Sequence, residues 1–170
     1  MLRIIGGVAK GKNLFSPSDK TRPTSDRARE GLFSSLESEF GSMKDIDFLD
    51  LYSGSGAVGV EALSRGAAHV VSVEQHANTA ALASKNFDLV SGASGTFEVL
   101  SQDAEKFLSN PTQFPYDIIF MDPPYEVPNS QIEKLLNFNI EEKIKNILEN
   151  LISLLFSLIS NWKKSTTIRT

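Results

Sequence analysis

From Asp47 to Asp122 the chain switches repeatedly between two hydrophobic periods, and this alternation limits its fold more than any other feature. FLDLY (48–52) reads as a buried strand, AVGVEALSRG (57–66) as a helix closed by Gly66, HVVSVE (69–74) as a second strand and ANTAALASKNFDLV (77–90) as a second helix. TFEVLSQ (96–102) makes a third strand, AEKFLSN (104–110) a short helix after Asp103, and YDIIFMD (116–122) a fourth strand. Strands separated by helices return in the same direction, so the expected class is α/β, a mostly parallel sheet with helices on both faces. Ligands bind such sheets beyond the carboxyl ends of the strands. Asp50 with the glycine loop after it, Glu74, Asp103 and Asp122 all fall at those ends. The 170 residues, 41% apolar and 22% charged, suit one domain of this kind rather than two.

The loop GSGAVG (54–59) fits G-x-G-x-x-G, with Glu74 twenty positions after Gly54. That spacing serves a dinucleotide, whose pyrophosphate needs a close backbone at a helix N-terminus. It serves S-adenosylmethionine equally well, because that ligand also needs a close backbone and an acid for its ribose hydroxyls. The loop alone does not separate the two, and a tight strand-to-helix turn would use the same residues. DPPY (122–125) adds a second signal after the fourth strand: consecutive prolines end the ladder and stiffen an extended backbone, with Asp122 at its start and Tyr125 at its end.

Upstream, LRII and KNLF flank GGVAKGK, which predicts a β-hairpin-like arm over residues 2–15, followed by a turn at SPSDKTRP. Thr24 or Ser25 caps a helix with Asp26 in its first turn, and Ala28, Leu32, Phe33, Leu36 and Phe40 are expected on its docking side. Residues 1–30 carry seven Lys and Arg against three acids, within a chain of net charge −4. A basic leader on an acidic body suits contact with a polyanion through one face, and a solvated surface accounts for it equally well. The chain has no cysteine, which excludes disulfides and thiolate zinc sites and agrees with a cytoplasmic setting. His69 and His76 read as surface residues. No metal and no membrane segment are expected, since LISLLFSLIS (151–160) is too short to span a bilayer.

DPPY after LDLYSGSG resembles the amino-methyltransferases. Together with RIIGG (3–7), RPTSDRAREGLFSSL (22–36), LDLYSGSGAVGVEALSRGA (49–67) and FMDPPY (120–125), the sequence resembles the bacterial 16S ribosomal RNA guanine-N2 methyltransferase family over about residues 1–136. The resemblance implies a Rossmann-like class I methyltransferase fold, with S-adenosylmethionine as methyl donor and 16S rRNA or a small ribosomal subunit particle as partner of a monomer. It implies that Asp50 and the backbone from Tyr52 through Ser53, Gly54, Ser55 and Gly56 hold the methionyl end. Glu74, with Gln75, would meet the ribose, and Asp103, with Ala104, the adenine. Asp122 and the Pro123 carbonyl would accept hydrogen bonds from the guanine amino group, and Tyr125 would stack on the base. Arg3, Lys10, Lys12, Arg22, Arg27 and Arg29 are the candidate phosphate contacts. A basic arm (1–24), a docking helix (25–40) and a donor-binding core (47–136) follow from the same likeness.

After residue 136 the likeness ends. Ile144, Ile147, Leu148, Leu151, Leu155, Leu158, Ile159 and Trp162 recur at helical spacing, so residues 137–170 read as a helical tail where the family has further strands. A genuine helical cover and a shifted reading frame both account for that. The alternative functions are a DNA adenine-N6 methyltransferase, which shares DPPY, and a catalytically impaired RNA-binding remnant.

Overall fold

The computed structural model describes residues 2–16, 25–109, 116–124, 126–128 and 130–133. The chain divides into two compact units, residues 1–127 and 128–170. Of the second unit the described part is a helical turn, in which Gln131 N donates to Pro128 O at 2.9 Å. The helical tail, and the boundary expected at 136, lie outside the described residues.

The first unit is built on four parallel strands in the order β3-β2-β1-β4: β1 (Asp47–Leu51), β2 (His69–Val73), β3 (Thr96–Leu100) and β4 (Ile118–Met121). Phe48 pairs with Val70 and Ile118, and Leu51 with Val73 and Met121, so the three neighbouring strands end at one level. Side chains alternate across the sheet. Phe48, Val70 and Ile118 join one hydrophobic cluster; Leu49, Leu51, Val71 and Val73 join the other.

The first face carries α2 (Ala57–Ser64) and α3 (Ala77–Phe87), together with α1 (Asp26–Phe40). α2 is buried at every position, which explains its nearly continuous apolar sequence. The second face carries α4 (Ala104–Leu108), anchored by Ala104 and Phe107. Helices therefore lie on both faces, as the alternation requires.

α1 starts where Ser25 Oγ accepts from Ala28 N, while Thr24 lies outside the described residues. Its buried line differs from the expected one. Arg29 and Phe33 are buried, whereas Ala28 is exposed and Phe40 is 45% exposed. Phe33 stacks on Phe48 at 6.3 Å and receives the Arg65 guanidinium at 5.1 Å from its ring centre. Arg29 joins this face because its Nη2 donates to Asp26 Oδ1 at 2.8 Å and to the Arg3 carbonyl at 2.6 Å. A charge can be buried when it is paired and hydrogen-bonded.

The arm forms the expected antiparallel hairpin-like turn, with Ile4 N donating to Lys12 O and Leu14 N to Leu2 O, both at 2.9 Å. It is part of the core, since Leu2, Ile4, Ala9 and Leu14 are buried. Glu61 on α2, 1% exposed, accepts from Ile5 N at 2.8 Å, Gly6 N at 2.7 Å and Arg65 Nε at 2.8 Å.

Candidate functional site

The carboxyl ends of β1, β2 and β4 meet at one edge. Glu74 and Asp122 each follow the last residue of a strand whose end is paired with Leu51, so both stand level with Tyr52. Asp50, one residue short of the end of β1, is 1% exposed. Tyr52 turns the chain out of the strand at φ 60°, a left-handed conformation uncommon for a side chain of its size. Gly56 continues the turn at φ 75° and caps α2; a Cβ there would lie 3.1 Å from the Ala83 Cβ and 3.2 Å from Phe87. The positive φ favours glycine, and a Cβ would in addition press on both neighbours.

Four amides of the loop and the first turn of α2 point at protein acceptors. Ser53 N donates to Val73 O at 3.0 Å, Gly54 N to Glu74 Oε2 at 3.0 Å and Gly56 N to Ser53 O at 2.8 Å. In the first turn of α2, Gly59 N donates to Asp50 Oδ2 at 3.0 Å. A loop that cradles pyrophosphate aims its N–H groups and its helix N-terminus at the anion. Here the carboxyl groups of Glu74 and Asp50 take the Gly54 and Gly59 amides, and Asp122 adds a negative group that acts on Asp50. This arrangement disfavours a pyrophosphate and favours a ligand carrying positive charge.

Burial pushes the Asp50 carboxyl up to about 7 from an ordinary 3.8; the Gly59 amide opposes that rise, and Asp122 and Glu74 add to it. A folded-state value above the unfolded one means the native state holds an extra proton between them. The stability this supplies is full below about 4 and is lost as pH rises through about 7. Thermal melts of the ligand-free chain between pH 5 and pH 8 are expected to fall by several degrees more in the wild type than in Asp50→Asn. Parallel curves for the two proteins would remove Asp50 as the source.

The remaining sequence candidates divide. Glu74, 7% exposed, also accepts at Oε1 from His76 N at 2.8 Å and faces His76 Nδ1 at 3.0 Å. A carboxylate offers about four acceptor positions, so three are engaged and the exposed imidazole must turn aside to free a second. Gln75 is exposed beside it. Asp103 is exposed and caps α4 by accepting from Lys106 N at 3.0 Å, while the Ala104 side chain is buried in the second cluster. Asp122 is exposed at the mouth of the edge and Pro123 is partly exposed. Tyr125 and Arg22 lie outside the described residues.

One expectation needs correction. Arg29 is fully buried and cannot reach a phosphate, its guanidinium donating to Asp26 and the Arg3 carbonyl. Asp50 is enclosed, its Oδ2 accepting from Gly59 N in the first turn of α2. Among the other cations, Lys10 and Arg27 are exposed, Arg3 is exposed but bonded to Asp26, and Lys12 Nζ donates to Leu89 O at 2.7 Å and Ser91 Oγ at 3.1 Å.

The sequence reading named Tyr52 and Ser53 for their backbone but not their hydroxyls, and it did not name Asn86. The Tyr52 hydroxyl and the Ser53 hydroxyl are buried with no hydrogen-bond partner among the described residues, two polar atoms on the loop suited to a polar ligand. Asn86 is fully buried against the same loop. Its signal was a polar residue on the face of α3 that also bears Ala83 and Phe87. Among the described residues no group of three or more His, Asp and Glu could hold a metal, and no helix is long and apolar enough to cross a membrane.

The family described as Conserved hypothetical protein 95 matches residues 2–156. The chain is 34% identical over 149 residues to Ribosomal RNA small subunit methyltransferase D of Haemophilus influenzae, covering 86% of this chain and 70% of that protein. It is 39% identical over 125 residues to the Escherichia coli K12 protein of the same name, covering 73% of this chain and 60% of that protein. The chain thus spans between about three fifths and seven tenths of these relatives. A solved structure of a hypothetical protein from Thermus thermophilus superposes with a TM-score of 0.70 at 31% identity, covering 82% of this chain and 78% of that one.

Proposed function

The chain belongs to the Conserved hypothetical protein 95 family, and from that premise we propose that it transfers a methyl group from S-adenosylmethionine to the exocyclic N2 amino group of a guanine in 16S ribosomal RNA. Its fold is the Rossmann-like class I methyltransferase fold. The observation that carries the reading is the edge itself, where Glu74 and Asp50 occupy the amides of the glycine loop and of α2, with Asp122 beside them. Bound there, the donor supplies an electrophilic methyl on a positively charged sulfur.

The residues present fit that donor. The negative charge of Glu74 and Asp122 beside the loop favours a ligand with a sulfonium charge over a phosphate. Glu74 supplies acceptors for the ribose once His76 swings away, and Asp103 stands at the same edge, two residues beyond the strand-level Ser101, for the adenine amino group. The unpartnered Tyr52 and Ser53 hydroxyls add two positions for polar contact.

The amino group of guanine is a weak nucleophile because its lone pair is delocalised into the ring. Acceptors at the Asp122 carboxylate and the Pro123 carbonyl favour the rehybridised nitrogen and the positive charge that develops on it. Pro123 and Pro124 have no N–H and limited backbone freedom, so the acceptors stay aligned without reorganisation. Tyr125 follows them in sequence and would supply an aromatic face on which the base stacks. The base itself must be accessible or flipped from its stack. Lys10, Arg27 and Arg3 would contact phosphates, and a monomer working in the cytoplasm on the RNA or the small-subunit particle completes the reading.

The test offers tritium-labelled methyl donor with unmodified small-subunit RNA, with small-subunit particles and with DNA, followed by nucleoside analysis. Label in N2-methylguanosine is the expected result. Label in N6-methyladenine of DNA, or none in any substrate while the donor binds, would overturn it.

A further inference from the structure

We infer that Asn86 is a positioning residue that couples the arm to the donor loop, so that the state of one is felt by the other. The inference rests on the donor site proposed above. Asn86 lies near the end of α3 with its side chain fully buried. Its Oδ1 accepts from Phe15 N at 2.8 Å, and its Nδ2 donates to Phe15 O at 3.0 Å and to Ser55 O at 2.8 Å. A side-chain amide has two N–H donors and one oxygen. Both donors and the oxygen are therefore engaged, each with backbone of a different segment from its own helix.

The two segments differ in their proposed work. Phe15 ends the arm that presents Arg3 and Lys10, and Ser55 sits between Gly54, whose amide meets Glu74, and Gly56, which packs on Ala83 one turn earlier on α3. Among the described residues, no backbone hydrogen bond joins residues 14–16 to residues 53–56 directly. The Asn86 amide is a direct bridge between them. Because the carboxamide is planar, a shift of Ser55 on ligand entry tilts the pair of bonds to Phe15, and a shift of the arm tilts the bond to Ser55. A second tie, from Lys12 Nζ to Leu89 O and Ser91 Oγ, holds the arm to the loop after α3 without touching the donor loop. It provides the control.

Amide hydrogen exchange of the full chain, with and without saturating S-adenosylhomocysteine, reads the coupling at the Leu14 N–H, which donates to Leu2 O within the arm at 2.9 Å and not to Asn86. In the wild type, ligand is expected to slow exchange at Leu14 by roughly fivefold or more, the lower range of common coupling factors. In Asn86→Ala that response is expected to vanish while binding persists, and in Lys12→Met it is expected to remain even though the arm is looser. A response at Leu14 that survives in Asn86→Ala overturns the role given to that residue, because slowing by ligand stabilisation of the whole fold needs no bridge. Wild-type protein that binds S-adenosylhomocysteine with no change at Leu14 overturns the coupling and leaves the proposed function standing. Wild-type protein that fails to bind overturns the donor site and this inference with it.

Discussion

Replacing Asp122 by alanine is expected to lower methyl transfer by about 10²–10³-fold, the range seen when one preorganised group aimed at developing charge is removed, while donor affinity is largely kept. The asymmetry follows from position. Asp122 is exposed at the mouth of the edge, whereas the loop and α2 contacts that shape the donor side run through Glu74 and Asp50. Asp122 also raises the Asp50 carboxyl through its negative charge. Removing it therefore makes Asp50 easier to ionise, which does not disfavour a cationic ligand. Asp122→Asn keeps one acceptor oxygen without the charge and should fall between the two. Single-turnover kinetics together with calorimetry of S-adenosylhomocysteine separate the effects, and equal losses in rate and affinity would contradict the assigned role.

The second large effect is expected at Glu61, far from the chemistry. Its buried carboxylate receives two arm amides and the Arg65 Nε, and Arg65 also reaches Glu37 Oε1 on α1 at 2.8 Å. The arm and α2 thus meet on Glu61, and Arg65 extends the contact to α1. Glu61→Ala leaves two amides and a partly buried guanidinium without that partner, a change that costs about 3–5 kcal/mol when a buried pair is broken. The arm has no room to compensate by sliding. A Cβ on Gly7, at φ 73°, would overlap Ser64 O at 1.7 Å, and that same carbonyl accepts from Val8 N at 2.8 Å. Urea denaturation should show the loss as a lower midpoint, and a shift worth under about 1 kcal/mol would mean that the arm docks by apolar contact alone. Arg65→Met is the useful companion, because it removes the charge partner and keeps the stem against Phe33.

Much of the fold was legible. The change of period between segments named the strands and helices to within three residues at their ends, and their order alone implied a parallel sheet. That Asp50, Glu74, Asp103 and Asp122 share one edge followed from chain direction in such a sheet. The discrimination between pyrophosphate and a cationic donor was not in the glycine fingerprint. It lies in where Ser53, Gly54, Gly56 and Gly59 aim their N–H groups, and the same six letters permit either arrangement.

Charge misled the reading at one place for a clear reason. Arg29 counts as one more cation in a basic leader, yet its burial depends on the Arg3 carbonyl, 26 residues away. Asn86 reaches Phe15 across 71 residues and Ser55 across 31, and Glu61 reaches Ile5 across 56. Periodicity reports a residue's neighbours along its own helix or strand, so it determined which elements form and which end of the sheet they leave open. Whether a polar side chain on those elements faces water, a ligand or a distant stretch of backbone depends on groups that only tertiary packing brings within hydrogen-bond reach. The structure alone decided that.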